Sequence, residues 1–163
     1  MGVKIEVIKD KLPGLLGVIK QMDAMRVYVG IPGDAKKREG EQTNAQIGYV
    51  NEVGSPANHI PPTPFLKPGV EKVQDKCIKI LRKTGENVFE NEAALKKGLE
   101  TVGLIAQNSV KGVIQKQEGF KPLSNRTILE RQAKGFKGTK RLIRSGQLIN
   151  SITYVVRPKN ASN

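Results

Sequence analysis

The sequence has few of the residues from which metal and catalytic centres are built. Its 163 residues include one cysteine, Cys77, and one histidine, His59. A single cysteine excludes a disulfide within the chain, and one Cys with one His cannot complete a zinc ligand set. We therefore expect a protein of a reducing compartment that uses neither a metal nor another cofactor.

Aromatic residues and long apolar runs are also scarce. Phe, Trp and Tyr make up 4% of the chain, Trp is absent, and hydrophobic residues amount to 37%. The core must then consist mainly of Val, Ile, Leu and Ala. No stretch approaches the roughly 18 to 20 apolar residues of a membrane helix, and the N-terminus lacks the apolar run of a secretory signal. These features predict a soluble cytosolic protein with a single domain over 1–163.

No group of residues has the pattern of a catalytic site. His59 lies in a proline-rich stretch without a nucleophile nearby, which favours a surface or hydrogen-bonding role over that of a general base. Glu90, Glu92 and Glu100 share a predicted helix with lysines, which favours solvated ion pairs. Cys77 lies on the apolar side of its predicted helix, where a structural role is expected. Phosphate-loop and dinucleotide fingerprints are missing. We expect that the protein is not an enzyme.

Positive charge is concentrated in the last third of the chain. The net charge is +13, with 28 Lys and Arg against 15 Asp and Glu. Residues 111–163 contain 12 of these cations and 2 of the acids, whereas residues 86–110 contain 2 cations and 4 acids. Such an asymmetry indicates an anionic partner, either nucleic acid or an acidic protein surface.

Hydrophobic periodicity predicts strands and helices in alternation over the first third. Alternating apolar residues predict strands at 3–9 and 26–31, and apolar residues three or four positions apart predict a helix at 12–22. Thr43 begins a capping-box pattern that predicts a further helix at 44–53.

A proline-rich stretch, 55–68, follows and is predicted to be a stiff, extended connector, because proline cannot donate ladder hydrogen bonds and restricts the residue before it. It ends in a compact motif made up of Pro61, Pro62, Pro64, Phe65 and Leu66.

Two longer helices are predicted next, at 68–83 and 87–117. Apolar residues recur along one side of the second at spacings of four and three. A helix of about 30 residues is roughly 45 Å long, which is longer than one face of a small sheet. Part of the apolar stripe is therefore expected to extend past the sheet and to contact a neighbouring subunit. The candidates for that contact are Leu95, Leu99, Val102 and Ala106.

The C-terminal third contains a basic segment, 119–146, and then a strand. Within the segment Ser124 is predicted to cap a helix over 125–134, and Ser145 to cap one helical turn. A β-branched and aromatic run predicts the last strand at 152–156. Together the elements predict an α+β fold, in which a small, mostly antiparallel sheet of N-terminal and C-terminal strands packs against the two longer helices. An extended Pro-rich segment and a basic loop complete it.

The order of several motifs resembles the tail-completion and neck proteins of tailed bacteriophages, which are also described as head–tail joining or virion morphogenesis proteins. The resemblance covers roughly residues 25 to 157. The motifs in chain order are VYVGI at 27–31, NAQIGYVNEVG at 44–54, IPPTPFLKPGV at 60–70, KPLSNRTILERQAKG at 121–135 and LIRSGQLINSITY at 142–154.

Individual residues match the family's pattern within these motifs. Gly54 ends a helix ahead of Pro-Phe-Leu, a later Pro-Leu-Ser is followed by Thr127, and Gly146 stands in the closing motif. Two positions depart from the pattern: Thr63 stands where the family usually has Arg, and Arg144-Ser145 where it usually has Asp-Thr. These departures affect contacts that family members would otherwise share.

The resemblance implies a structural virion protein that forms a ring, commonly of six copies, at the head–tail joint or tail end. It also implies, as partners, other copies of the chain, a tail terminator or tail tube protein and head connector proteins. The expected location is the virion neck, or the host cytoplasm during assembly, without a membrane. The alternative is a stand-alone basic nucleic-acid-binding module.

The basic segment has three interpretations on sequence alone. It either docks on an acidic protein neighbour, or lines a ring lumen and contacts phage DNA without sequence preference, or is simply a solvated loop that becomes ordered on assembly. Aromatic residues interleaved for base stacking are missing. The candidate residues are Lys121, Arg126, Arg131, Lys134, Lys137, Lys140, Arg141 and Arg144.

Overall fold

A computed structural model of the chain describes residues 12–33, 42–88 and 93–159. These residues form an α+β fold with seven α-helices and two β-strands. The elements are α1 (Leu12–Ala24), β1 (Met25–Gly30), α2 (Asn44–Val53), α3 (Leu66–Glu71), α4 (Gln74–Val88), α5 (Ala93–Lys116), α6 (Asn125–Ala133), α7 (Gln147–Ser151) and β2 (Thr153–Pro158). The strand predicted at 3–9 lies outside the described residues, as do Glu90 and Glu92.

The described sheet joins the two ends of the fold. β1 and β2 pair antiparallel, with Met25 opposite Pro158 and Gly30 opposite Thr153. Because opposite residues share a face and successive residues alternate, Val27 and Val156 lie on one side of the ribbon. That side packs against α5. The prediction that a C-terminal strand returns to an N-terminal strand and packs on the longer helices is confirmed.

The apolar stripe of α5 is covered by this chain itself. Leu95 and Leu99 pack with Met25 and Val27 of β1 and with Leu81 of α4. The four side chains predicted to contact a neighbouring subunit are only 4–8% exposed, and they are Leu95, Leu99, Val102 and Ala106. The prediction of subunit contact is therefore wrong for them. Spacing identified the apolar side correctly, but the sheet and α4 already cover it.

A second apolar cluster lies at the other end of α5. It contains Val110, Val113 and Ile114 together with Phe65 of the Pro-Phe-Leu motif and Ile152 at the start of β2. Phe65 is 1% exposed, which makes it the anchor of the proline-rich stretch. α5 thus contributes to both clusters and connects them.

Helix ends follow local sequence where a capping side chain is present. The Thr43 hydroxyl accepts from the Gln46 amide at 3.2 Å, and the Gln46 side chain accepts from the Thr43 amide at 2.9 Å. This confirms the capping box and the predicted helix at 44–53. The prediction for Ser145 is wrong, because Gly146 precedes α7 with φ 78° and no side chain caps that helix.

The predicted helix at 68–83 is two helices in the structure. α3 already begins at Leu66 and ends at Glu71, and α4 begins at Gln74 after a turn at Lys72 and Val73. Both α3 and α4 pack against α5. The predicted connector 55–68 likewise contains a short 3-10 turn, Pro56–Asn58, before its extended part.

The Glu52 carboxylate holds the start of α3. One oxygen accepts from the Phe65 and Leu66 amides at 2.7 and 2.9 Å, and the other accepts from the Lys67 amide at 2.9 Å. The first N–H groups of a helix have no partner within the helix, and Phe65 contributes no capping side chain of its own. Glu52 therefore joins α2 to α3 across the proline-rich stretch.

We expect Glu52→Ala to lower the free energy of unfolding by about 2 kcal/mol, because it leaves three amides without their charged acceptor. Glu52→Gln keeps one acceptor oxygen and is expected to lose about half as much. The matched control is Glu71→Ala, which removes an exposed ion pair with Lys67 and should cost less than about 0.5 kcal/mol. Urea unfolding measures all three; similar losses for Glu52→Ala and Glu71→Ala would contradict the capping role.

None of the helices in the described part of the chain is both long enough and apolar enough to cross a membrane.

Candidate functional site

The basic segment, residues 119–146, consists of α6 and a loop that returns to α7. The Ser124 hydroxyl accepts from the Thr127 amide at 3.2 Å, so the predicted cap is confirmed and α6 begins at Asn125. On the surface of α6, Arg126 and Glu130 form an exposed ion pair at 3.0 Å. Gly135, with φ 79°, ends the helix and turns the chain into the loop.

Arg131 holds the loop in shape. Its Nη1 donates to the carbonyl oxygens of Lys140 at 2.9 Å and of Gly138 and Ile143 at 3.3 Å each. One nitrogen of the guanidinium thus contacts three carbonyls of the same loop. Arg131, predicted to face a partner, is thus half-buried and serves the fold of the segment as well.

The loop is attached to the end of α5 through Gln117. The Gln117 side chain accepts from the Arg141 amide at 2.6 Å and donates to the Arg141 carbonyl at 3.0 Å. Lys140 Nζ donates to the Gln115 carbonyl at 2.7 Å. Gln117 and Leu142 both have positive φ, 58° and 60°, which costs a side-chain-bearing residue roughly 1–2 kcal/mol. These bonds offset that cost at the junction.

The loop also contributes apolar packing. Phe120, Leu142 and Ile143 pack against the cluster at the end of α5. Together with the hydrogen bonds of Arg131 and Gln117, this packing folds the segment onto its own chain. The interpretation of the segment as a solvated loop that a partner must order therefore does not hold for this structure.

The eight predicted cations consequently divide into two groups. Arg131, Lys140 and Arg141 donate hydrogen bonds to the loop, to α5 and to Thr63 respectively, although Lys140 is also exposed. The other five expose their side chains, and they are Lys121, Arg126, Lys134, Lys137 and Arg144. Of these five, Arg126 pairs with Glu130 and Arg144 lies over the Phe136 ring, 4.6 Å from its centroid.

Three arginines converge on one cleft between the loop and α2. Arg131, Arg141 and Arg144 line this arginine cleft, which has a volume of about 230 Å³. Burial lowers the pKa of Arg131, and the neighbouring charges of Arg144 and Arg141 lower it further. Like charges have thus been brought close enough to affect one another.

The nearby carboxylates are engaged elsewhere. Glu118 accepts from Lys72 Nζ at 2.8 Å, and this hydrogen bond lowers the pKa of the Glu118 carboxyl below its usual value. Glu130 pairs with Arg126, and Glu52 accepts the three amides at the start of α3. No described carboxylate lines the arginine cleft.

The residues at which the chain departs from the pattern that it resembles, Thr63 and Arg144-Ser145, all line this cleft. Thr63 is 6% exposed, and its hydroxyl accepts from Arg141 Nη1 at 3.2 Å. Arg144 and Ser145 line the same cleft.

No family model, curated protein or solved structure matches the chain. The role of the cleft is therefore inferred from its own chemistry.

The other candidate residues do not form a site among the described residues. His59 is exposed in a turn with φ 53°, and Glu100 is exposed on α5. Burial raises the pKa of the half-buried Cys77 thiol, which disfavours the reactive thiolate. In the described ranges no three His, Cys, Asp or Glu residues lie together in a way that could hold a metal ion.

The sequence pointed neither to Gln117 and Glu52 nor to the contact between Thr63 and Arg141. Gln117 is 24 residues from Arg141, and Thr63 is 78 residues from it. No local pattern connects such positions. The resemblance did indicate Thr63 and Arg144 as departures, although it could not indicate that they lie in one cleft.

Proposed function

We propose that this chain is a structural assembly protein of a tailed bacteriophage, which forms a ring and docks at the head–tail joint through its basic segment. Its partners are other copies of the chain, a tail terminator or tail tube protein, and a head connector protein. The order of motifs from 27–31 to 142–154 supports the assignment to the head–tail joint of a tailed bacteriophage. The basic segment supports the mode of action.

One observation carries the docking role: the cations of the basic segment are presented on a folded scaffold. Arg131 and Gln117 fix the loop by hydrogen bonds within the chain. The ammonium groups of Lys134 and Lys137 project from this fixed loop into solvent. A surface shaped before binding loses less conformational entropy when a partner binds. It is therefore suited to specific docking on an acidic protein.

The alternative of a nucleic-acid-binding module rests on the same cations. The positions of the two aromatic rings in the segment argue against this alternative. Phe120 packs against the core, and Phe136 is covered by Arg144. Neither ring is free for stacking with a base, so DNA contact would be limited to phosphates and would weaken steeply with salt.

Deleting the coding gene from its phage genome tests the proposal. We expect the lysate to contain separate heads and tails in electron micrographs, with joined particles restored by the gene supplied from a plasmid. Normal numbers of joined particles without the gene would overturn the assembly role. Tight binding of the purified chain to duplex DNA at physiological salt, combined with normal particles, would favour the nucleic-acid alternative.

A further inference from the structure

We propose that the arginine cleft is a binding pocket for a carboxylate side chain, presented by an acidic and partly apolar segment of a partner protein. This inference rests on the proposed docking function and specifies its recognition chemistry. The cleft is formed by Arg131, Arg141 and Arg144 of the basic segment together with Thr63 and Ser145.

The charge balance of the cleft is the first reason. Three guanidinium groups converge without a carboxylate among the residues that line the cleft. Their mutual repulsion is unfavourable in a partly buried site, where water screens charges less than at the surface. A carboxylate that enters the cleft removes this repulsion and gains charge-assisted hydrogen bonds with a guanidinium fork.

The hydrogen bonding of Arg141 is the second reason. Its Nη1 donates to the neutral Thr63 hydroxyl at 3.2 Å, and its buried Nε has no acceptor among the described residues. A buried guanidinium nitrogen ordinarily has an acceptor, because burying a polar N–H group without a hydrogen bond is costly. The hydrogen-bonding capacity of the Arg141 guanidinium is therefore only partly satisfied within the chain.

The walls of the cleft distinguish a peptide from DNA. Between the arginines the lining includes the apolar side chains of Ile47, Leu123, Leu142 and Leu148. A phosphate group of DNA carries no apolar side chain that could fill such a concave space. A peptide that carries an apolar side chain beside its carboxylate satisfies both the guanidinium groups and the walls, so we assign the cleft to a protein partner.

Fluorescence anisotropy with a short labelled peptide of alternating glutamate and leucine tests this inference on the full-length protein. We expect saturable binding by the unmodified chain. Arg144→Asp is expected to weaken it at least about tenfold, because it removes one guanidinium and places a carboxylate in the cleft. Lys96→Asp makes the same change in net charge at an exposed position on α5, and it should weaken binding less than about twofold.

A second variant covers the case in which Arg144→Asp does not fold. Ser145 is exposed at the cleft, and Ser145→Asp adds a carboxylate without removing an arginine. It should also weaken binding about tenfold.

The inference is overturned if no peptide binds, if Lys96→Asp weakens binding as much as Arg144→Asp, or if a glutamine-leucine peptide binds equally well. It is also overturned if duplex DNA competes with the peptide for the same arginines. Each of these results would leave the gene-deletion test of assembly unaffected.

Discussion

Replacing Lys134 and Lys137 by glutamate is expected to lower the yield of joined particles by about 100-fold when the variant complements the deleted gene. Both ammonium groups are exposed, and neither makes a hydrogen bond or ion pair with a described residue. Their loss should leave the fold intact. Against an acidic partner surface the two new carboxylates produce like-charge repulsion, which costs several kcal/mol at an interface.

The matched control is Lys96→Glu with Lys97→Glu, which makes the same change in net charge on the exposed side of α5. It is expected to complement nearly as well as the unmodified gene. Arg141 is unsuitable for such a test, because it donates to Thr63 and its amide is bound by Gln117. Joined particles at the normal level with the Lys134 and Lys137 variant, and unchanged unfolding curves, would exclude this surface from docking.

The second large effect is expected in the core, at the crossing of α3 and α5. A Cβ added at Gly69 would lie 2.6 Å from the Cα of Val110 and 3.0 Å from its amide nitrogen. These are backbone atoms in the C-terminal half of α5, held by the hydrogen bonds of the helix, so they cannot move aside as a flexible side chain could. We expect Gly69→Ala to lower the free energy of unfolding by about 3 kcal/mol, the upper part of the range for overpacking a core.

Gly112→Ala is the control for this substitution. Gly112 lies in α5 with nothing within 4 Å of an added Cβ, so alanine there is expected to stabilise the protein by about 0.5–1 kcal/mol through its higher helix propensity. Urea unfolding should thus move the two midpoints in opposite directions. A midpoint for Gly69→Ala equal to that of the unmodified chain would show that α3 does not cross α5 as closely as described.

The two predictions concern different parts of the molecule, the helical scaffold and the docking surface. The Pro-Phe-Leu motif places Phe65 in the core, and Gly69 then allows α3 to lie directly on α5. Gln117, directly after the same C-terminal end of α5, supports the basic segment. Damage at Gly69 should therefore reduce docking only by unfolding the scaffold, whereas charge reversal should reduce docking on an intact scaffold.

Several features could be predicted from local sequence, and the reason is the short range of the interactions that determine them. The helices α2 and α6 begin where Thr43 and Ser124 cap them, because a cap involves residues only three positions apart. The β1 and β2 strands and the apolar side of α5 follow from periodicity. Ser145 does not cap α7, because the residue that precedes this helix is Gly146, which has a left-handed backbone conformation.

By itself the sequence determined an α+β order of elements, the starts of the capped helices α2 and α6, and a positive charge concentrated from residue 111 onward, since all of these depend on composition or on residues a few positions apart. The tertiary structure alone decided that the sheet and α4 cover Leu95 and Leu99, and that Arg131 and Arg141 turn inward. It also decided that Arg141 meets Thr63, which is 78 residues away in the chain. Contacts between such distant residues depend on how whole elements pack, which no local pattern encodes.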